Sequence, residues 1–317
     1  MYYPYLRGRQ NELLCLQELL ESQKLDKKII PILEPVRFNS TYINTLKKFA
    51  ECEREIIVIK NPKVGRFFTE YQEALKASQN DRTKKILNEY EKILENEYIS
   101  SAYITDDQTI NMVLSVSDET RHSLYLINKG KGDSKYYEEY ADELDVKASF
   151  IPNDMDFKDE VEGNCIVLEG EYQKAKRNVD YLEHPDDFFS RNHLTYLKRG
   201  YQGFGDYSIV GDEYEESGFA PLAIAIHIVY FDEKNKLNIH HFVSDSNDNY
   251  YDLARKFEEA MEKLMLWEKL SGIKMTKGLK GLIDYYENGK FPGLGVIKKC
   301  SIMHHLELMG EFLEGHK

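Results

Sequence analysis

The chain lacks several features that would each have named a class. No apolar run approaches the roughly 18 residues that a membrane-spanning helix needs, and the opening MYYPYLRGRQ lacks the basic-then-apolar order of a secretory signal. A cytoplasmic protein without a membrane partner is the expectation. Cysteine is sparse: Cys15, Cys52, Cys165 and Cys300 lie far apart and form no CxxC or CxxH pair. That spacing argues against a structural zinc site or a disulfide framework and for buried free thiols. No Walker loop is present, no GxGxxG follows a strand, and KGKGD at 129–133 is too generic to count. Ser208 sits in no GxSxG elbow, so nucleophilic hydrolase chemistry has little support. Low-complexity tracts and close repeats are also missing.

Positive charge is short overall. Lys and Arg number 42 against 55 Asp and Glu, a formal net charge of -13, which repels a phosphate backbone and disfavours broad nucleic-acid binding. One stretch runs the other way. Lys274, Lys277, Lys280, Lys290, Lys298 and Lys299 lie between Gly272 and Cys300, opposed there only by Asp284 and Glu287. A solvated helix face explains this stretch, and a patch for an acidic partner or nucleic acid is the alternative.

What the sequence does contain is a rhythm. Eight short apolar runs, at Tyr2–Leu6, Lys28–Leu33, Glu55–Ile59, Ile99–Ile104, Ser123–Ile127, Val146–Ile151, Cys165–Leu168 and Asp206–Val210, are mostly followed by segments able to form helices. Repeated β-then-α units predict an α/β fold, a (β/α)8 TIM-barrel-like domain. Leu13, Leu16, Leu19 and Leu20 make one stripe over 11–23, the first outer helix. Asn39 or Ser40 caps a helix over 41–51.

Residues 64–98 are too long for one crossover and predict an inserted helical hairpin. The region 172–198 reads as helical pieces broken at Pro185, and GYQGFGD at 200–206 as a glycine-rich mobile loop. AIAIHIVYF and LNIHHFVSD flank 232–236 as a β-hairpin within 222–245. Leu253, Phe257, Met261, Leu264 and Trp267 predict an amphipathic helix. The expected division is a barrel-like domain, 1–245, carrying both insertions, and a C-terminal helical extension, 246–317.

Barrel enzymes place function at the C-terminal ends of their strands. Carboxylates expected there are Glu34, Asp106, Asp154, Glu169 and Asp206, with Asn61 and Asn128, and strand seven ends at Glu169-Gly170-Glu171. Several such oxygens at one mouth suit a divalent metal or an acid and base, with Glu34, Glu169 and Asp206 as the catalytic set. Helix capping explains any one of them alone. Arg7, Arg9 and Lys60 are positioned to hold a phosphate or carboxylate, or to pair with Glu34 and Glu12. If the hairpin closes around Lys234, His227 faces His241, as a metal or proton-transfer pair or as an ordinary cross-strand pair. His304 and His305 show no obvious partner, and the 23 tyrosines are scattered as packing groups.

Residues 3–9 (YPYLRGR) with Glu12, IPILEP at 30–35, RNVDY at 177–181, GFGDY at 203–207, AIH at 225–227 and HFVSD at 241–245 resemble a group of uncharacterised bacterial proteins allied to the phage-related beta-protein family. Position 205 is glycine where that pattern leads one to expect serine. The resemblance implies a barrel-like fold in an antiphage-defence setting, often beside a nuclease-like protein, and it promotes Arg177, Asn178 and Asp180 as ligand-binding residues facing the same mouth as Glu169. The functional expectation is binding or processing of a small phosphate-bearing or nucleotide-like ligand, in enzymatic form a metal-dependent phosphodiesterase or nucleotide hydrolase. Its rivals are a non-catalytic scaffold that regulates a partner nuclease, and direct metal-dependent nucleic-acid processing.

Overall fold

The structure is a computed structural model that describes residues 1–315 apart from 78, 141–142, 162, 171, 173 and 217–219. Contacts divide the chain into two compact units. The first comprises 1–13, 27–169 and 195–207, and the second 14–26, 170–194 and 208–317.

In the first unit, β1 (Tyr2–Leu6), β2 (Ile32–Leu33), β3 (Ile56–Ile59), β4 (Ile99–Ile104), β5 (Tyr125–Ile127), β6 (Ala148–Ile151) and β7 (Cys165–Leu168) pair in parallel in chain order. Asp186–Ser190 (β8) belongs elsewhere, and Gly203–Asp206 (β9) closes the barrel between β7 and β1. The expected β/α barrel is therefore present. Alternate residues point inward, so Tyr3 and Tyr5, Ile57 and Ile59, Tyr125 and Ile127, and Phe150 form one interior core. Each such aliphatic or aromatic side chain contributes roughly 1.5–3 kcal/mol of burial free energy.

Helices cover the outside: α1 (Gln10–Glu21), which crosses from the first unit to the second at 13/14, then α2 (Ser40–Glu51), α3 (Phe67–Lys76), α4 (Asp81–Leu94), α5 (Asp107–Ser115), α6 (Asp118–Arg121), α7 (Lys135–Tyr140) and α8 (Met155–Glu160). Asn39 caps α2, its Oδ1 accepting from Tyr42 N at 3.0 Å. The helical hairpin expected at 64–98 is α3 and α4. It is fastened by Phe38, Phe67, Tyr71, Tyr90 and Tyr42, with ring centroids 5.1–6.4 Å apart in edge, tilted and stacked contacts.

The eighth barrel strand departs from expectation. The segment read as a mobile loop is β9, whereas Ser208–Val210, read as strand, is a 3-10 turn. The reason is close approach to β1. A Cβ at Gly203 would lie 2.6 Å from Tyr3 Cε2, and one at Gly205 would lie 2.4 Å from the Tyr3 carbonyl oxygen. Glycine here admits the neighbouring strand rather than loosening the chain.

In the second unit β10 (Ala225–Phe231) and β11 (Leu237–Val243) form the expected hairpin, with His227 opposite His241. β8, expected as part of a helical segment, adds to β11 as an antiparallel edge strand. Three further helices, α10 (Leu253–Ser271), α11 (Lys277–Glu287) and α12 (Leu294–Gly315), follow the short α9 (Asn192–Thr195). Ile226, Ile228 and Phe242 on one sheet face pack with Phe257, Met261 and Leu264 of α10 and Leu279 and Leu282 of α11. The contacts thus group the hairpin with the C-terminal helices, whereas the sequence reading attached it to the barrel. No helix of the described residues is long and apolar enough to cross a membrane. Cys15, Cys165 and Cys300 are buried free thiols, while Cys52, just beyond α2, is exposed.

Candidate functional site

At the C-terminal end of the barrel, side-chain parity decides which polar groups share the mouth. Glu34, two residues beyond the interior Ile32, is fully buried and accepts from Tyr5 OH at 2.7 Å, from Lys63 N at 2.8 Å, and from Arg7 in an ion pair. Gly8 turns the chain after Arg7 at φ +62, where a Cβ would meet the Glu34 carbonyl. The Arg7 guanidinium lies 5.0 Å from the Tyr5 ring centroid and 5.8 Å from that of Tyr207.

Lys129, just beyond β5, places its ammonium 3.8 and 4.5 Å from the same two centroids and donates to Tyr207 OH at 3.0 Å. Two cations and one carboxylate thus surround a pair of phenol rings whose centroids are 5.0 Å apart. Neither Lys129 nor Tyr207 was singled out in the sequence. The signal was available in parity: both lie two residues beyond an interior position, Ile127 and Gly205.

The other expected mouth residues have different employment. Asp206, one step out of phase with Tyr207, faces the opposite side of β9 and accepts from Tyr2 OH at 2.9 Å. Glu169 is likewise out of phase with Leu168 and accepts from Asn153 Nδ2 at 3.0 Å, and Asn153 in turn accepts from Arg199 at 2.8 Å. Glu34, Glu169 and Asp206 are therefore separated by side-chain direction. Asp106 and Asp154 cap α5 and α8 through Thr109 N at 2.7 Å and Phe157 N at 2.9 Å, as the capping explanation requires. Burial pushes the Asp106 carboxyl up, but Lys63 and the Thr109 donors outweigh it and hold its pKa down to about 2.

Asn61 donates to Ile104 O and Thr109 Oγ1 and accepts from Ile104 N, all within 2.9 Å, which ties β3 to β4. Asn128 donates at 3.0 Å both to Tyr137 OH and to Phe150 O. Arg9 is half-buried just ahead of α1. Lys60, also half-buried, has its pKa lowered from 10.5 to about 8 by desolvation. Glu171 lies outside the described residues.

The remaining candidates belong to the second unit, not to the barrel that holds Glu169. Arg177 and Asp180 close on each other at 2.6 Å within one 3-10 turn, while Asn178 donates to Ala223 O at 2.7 Å. His227 and His241 meet Nδ1 to Nδ1 at 2.7 Å, and His241 Nε2 lies 3.2 Å from Asp187 Oδ2, supplied by β8. Two nitrogens bound to one tetrahedral zinc stand about 3.3 Å apart, so this pair has the spacing of a shared proton. Among the described residues no cluster of three or more His, Cys, Asp or Glu side chains is arranged to hold a metal.

The carboxylate fixes the tautomers. Asp187 requires a proton on His241 Nε2; neutral His241 then accepts at Nδ1, His227 donates from Nδ1, and His227 Nε2 is left with its lone pair. Desolvation, then His241, Lys298 and Lys174, hold the His227 pKa well below 6.5. Desolvation also lowers that of His241, against the pull of Asp187. Tyr181 packs on His241 in a tilted contact, ring centroids 4.2 Å apart.

Three of the six lysines of the basic stretch 272–300 are paired within its own unit: Lys274 with Glu311 at 2.6 Å, and Lys277 and Lys299 with Glu18 at 3.5 and 2.7 Å.

No family model matches the chain. No curated protein matches it either.

Proposed function

We propose that the C-terminal end of the barrel binds a small phosphate-bearing or nucleotide-like ligand, in the antiphage-defence setting that the resemblance to the phage-related beta-protein group implies. One observation carries this reading. Arg7 and Lys129 converge on the same two rings, Tyr5 and Tyr207, beside the buried Glu34 carboxylate. Arg7 is buried and Lys129 is exposed at the rim, so a dianionic group at the rim would meet both cations while an aromatic base stacks on the phenols.

Glu34 serves as the counter-ion that orients Arg7, since its oxygens already accept three donors. This is a binding site first. Catalysis there, or a divalent metal carried in with the phosphates, would be contributed on the ligand side of the mouth.

The test is thermal unfolding against inorganic phosphate, AMP, ADP and ATP, each with and without magnesium, for the wild type and Lys129→Met. A ligand at about 100 times its dissociation constant adds about 2.7 kcal/mol. The expected result is a rise in melting temperature with one of these ligands that shrinks by more than half in the variant. Absence of any rise across the panel would sink the reading and leave the scaffold alternative. That alternative has its own foothold in α10, where Leu266 and Leu270, one turn apart, are 65% and 88% exposed.

A further inference from the structure

Ser301 on α12 is 1% exposed, and its Oγ has no hydrogen-bond partner among the described residues. A buried hydroxyl without a partner is unfavourable and calls for an acceptor or donor. Ser301 lines a cavity of about 180 Å³ within the second unit. His227 lines the same cavity, so the side chain with the bare Nε2 and the one with the unpartnered hydroxyl share one lining. Ile209, Ile224 and Tyr181 supply apolar wall, and Lys174 and Lys298 supply positive charge. Lys174 is steadied by Glu215 at 2.8 Å.

We infer that this cavity is a binding site for a single-ring hydroxylated organic acid. Its ring lies against the apolar walls, its carboxylate on the lysine side, and its hydroxyl between Ser301 Oγ and His227 Nε2. Size sets the ring count, because a cavity of about 150 Å³ holds one benzene. Charge sets the acid, and the two unfilled polar atoms set the hydroxyl.

The relay also says where a proton goes. A proton leaving the ligand oxygen arrives on His227 Nε2, the His227 Nδ1 proton moves across 2.7 Å to His241 Nδ1, and the positive charge comes to rest on His241 beside Asp187. Only O–H and N–H bonds change, and no co-reactant is consumed. The direction follows from the flanking charges, with lysines on the His227 side and a carboxylate behind His241. Asp187 is a positioning residue in this scheme, since it acts through His241.

The experiment uses the full chain and two readouts. Titration calorimetry with 4-hydroxybenzoate should show binding tighter than about 1 mM, weakened about tenfold when benzoate replaces it and about tenfold in His227→Phe. Ser301→Ala, which removes one atom and leaves the fold alone, should weaken it severalfold. Long-range nitrogen NMR of the free protein should show His227 Nε2 unprotonated and His241 Nε2 protonated, with that order lost in Asp187→Asn. The inference is overturned if 4-hydroxybenzoate does not bind, if both variants bind it as the wild type does, or if His227 Nε2 carries the proton in the wild type.

Discussion

At Gly205 a methyl group would press on backbone, the Tyr3 carbonyl 2.4 Å away, which cannot swing aside as a side chain can. Gly205→Ala is therefore expected to cost at least about 2 kcal/mol, the overpacking range, measured by urea denaturation. Gly130→Ala, where nothing lies within 4 Å, is the control and should change little. Equal effects at the two positions would contradict the close-packed account of β9. Lys60 makes a pH prediction. Its folded pKa, about 8, is below the usual 10.5, so between those values the unfolded chain holds more protons and stability rises with pH. The cost of the buried ammonium is full below about pH 8 and relieved as pH climbs toward 10.5. Lys60→Met should thus raise the denaturation midpoint at pH 7 and much less at pH 10; a gap of the same size at both would show that Lys60 is well solvated.

At the scale of elements, α12 carries two fully buried histidines. His304 donates from Nε2 to Val229 O (2.8 Å), so that in the neutral ring its Nδ1 accepts from Thr276 Oγ1 (2.8 Å), and His305 Nδ1 lies 3.0 Å from Ser208 Oγ. Desolvation lowers their pKa values to about 4 and about 3, with His304 and then His193 adding to the effect at His305. Both folded values lie below the unfolded 6.5, so the stability they contribute is present above that pH and is lost as pH falls toward 4. Roughly 3 kcal/mol per histidine is at stake over that window. Urea midpoints should drop steeply from pH 6.5 to 4, and less steeply in His304→Gln; parallel curves would contradict buried neutral imidazoles.

Seven barrel strands were legible because each is a short apolar run bounded by polar turns. β9 was not, because GFGD has no apolar alternation and its fitness depends on Tyr3, some two hundred residues earlier. β8 was hidden because DDFFS is acidic and follows a proline, and its pairing partner β11 comes about fifty residues later. The mouth was half legible for a related reason. Position after a strand can be counted from sequence, but facing depends on phase, which separates Glu34 and Lys129 from Glu169 and Asp206. The His227–His241 pair was readable from hairpin register alone. Asp187 and Ser301 reach that neighbourhood from remote segments, beyond any local pattern.

On the scale of the molecule, the second unit is assembled from three stretches of chain, of which the C-terminal helices are one part. The apolar faces of α10 and α11 are buried against β10 and β11, and Glu18 pairs with Lys277 and Lys299. A fragment of residues 246–317 should therefore show weak helicity and no cooperative melting by circular dichroism. A sharp transition in that fragment would mean the helices form a core of their own.

Barrel closure also has a timetable. β1 is synthesised before the other strands of the barrel, yet one of its two neighbours is β9, and the Tyr2–Asp206 hydrogen bond spans 204 positions. At roughly 5–20 residues per second, translation takes on the order of ten to forty seconds to supply that neighbour. Through that interval one edge of β1, with its tyrosines, waits on the ribosome unpaired, the period in which a nascent chain of this kind is most in need of a chaperone.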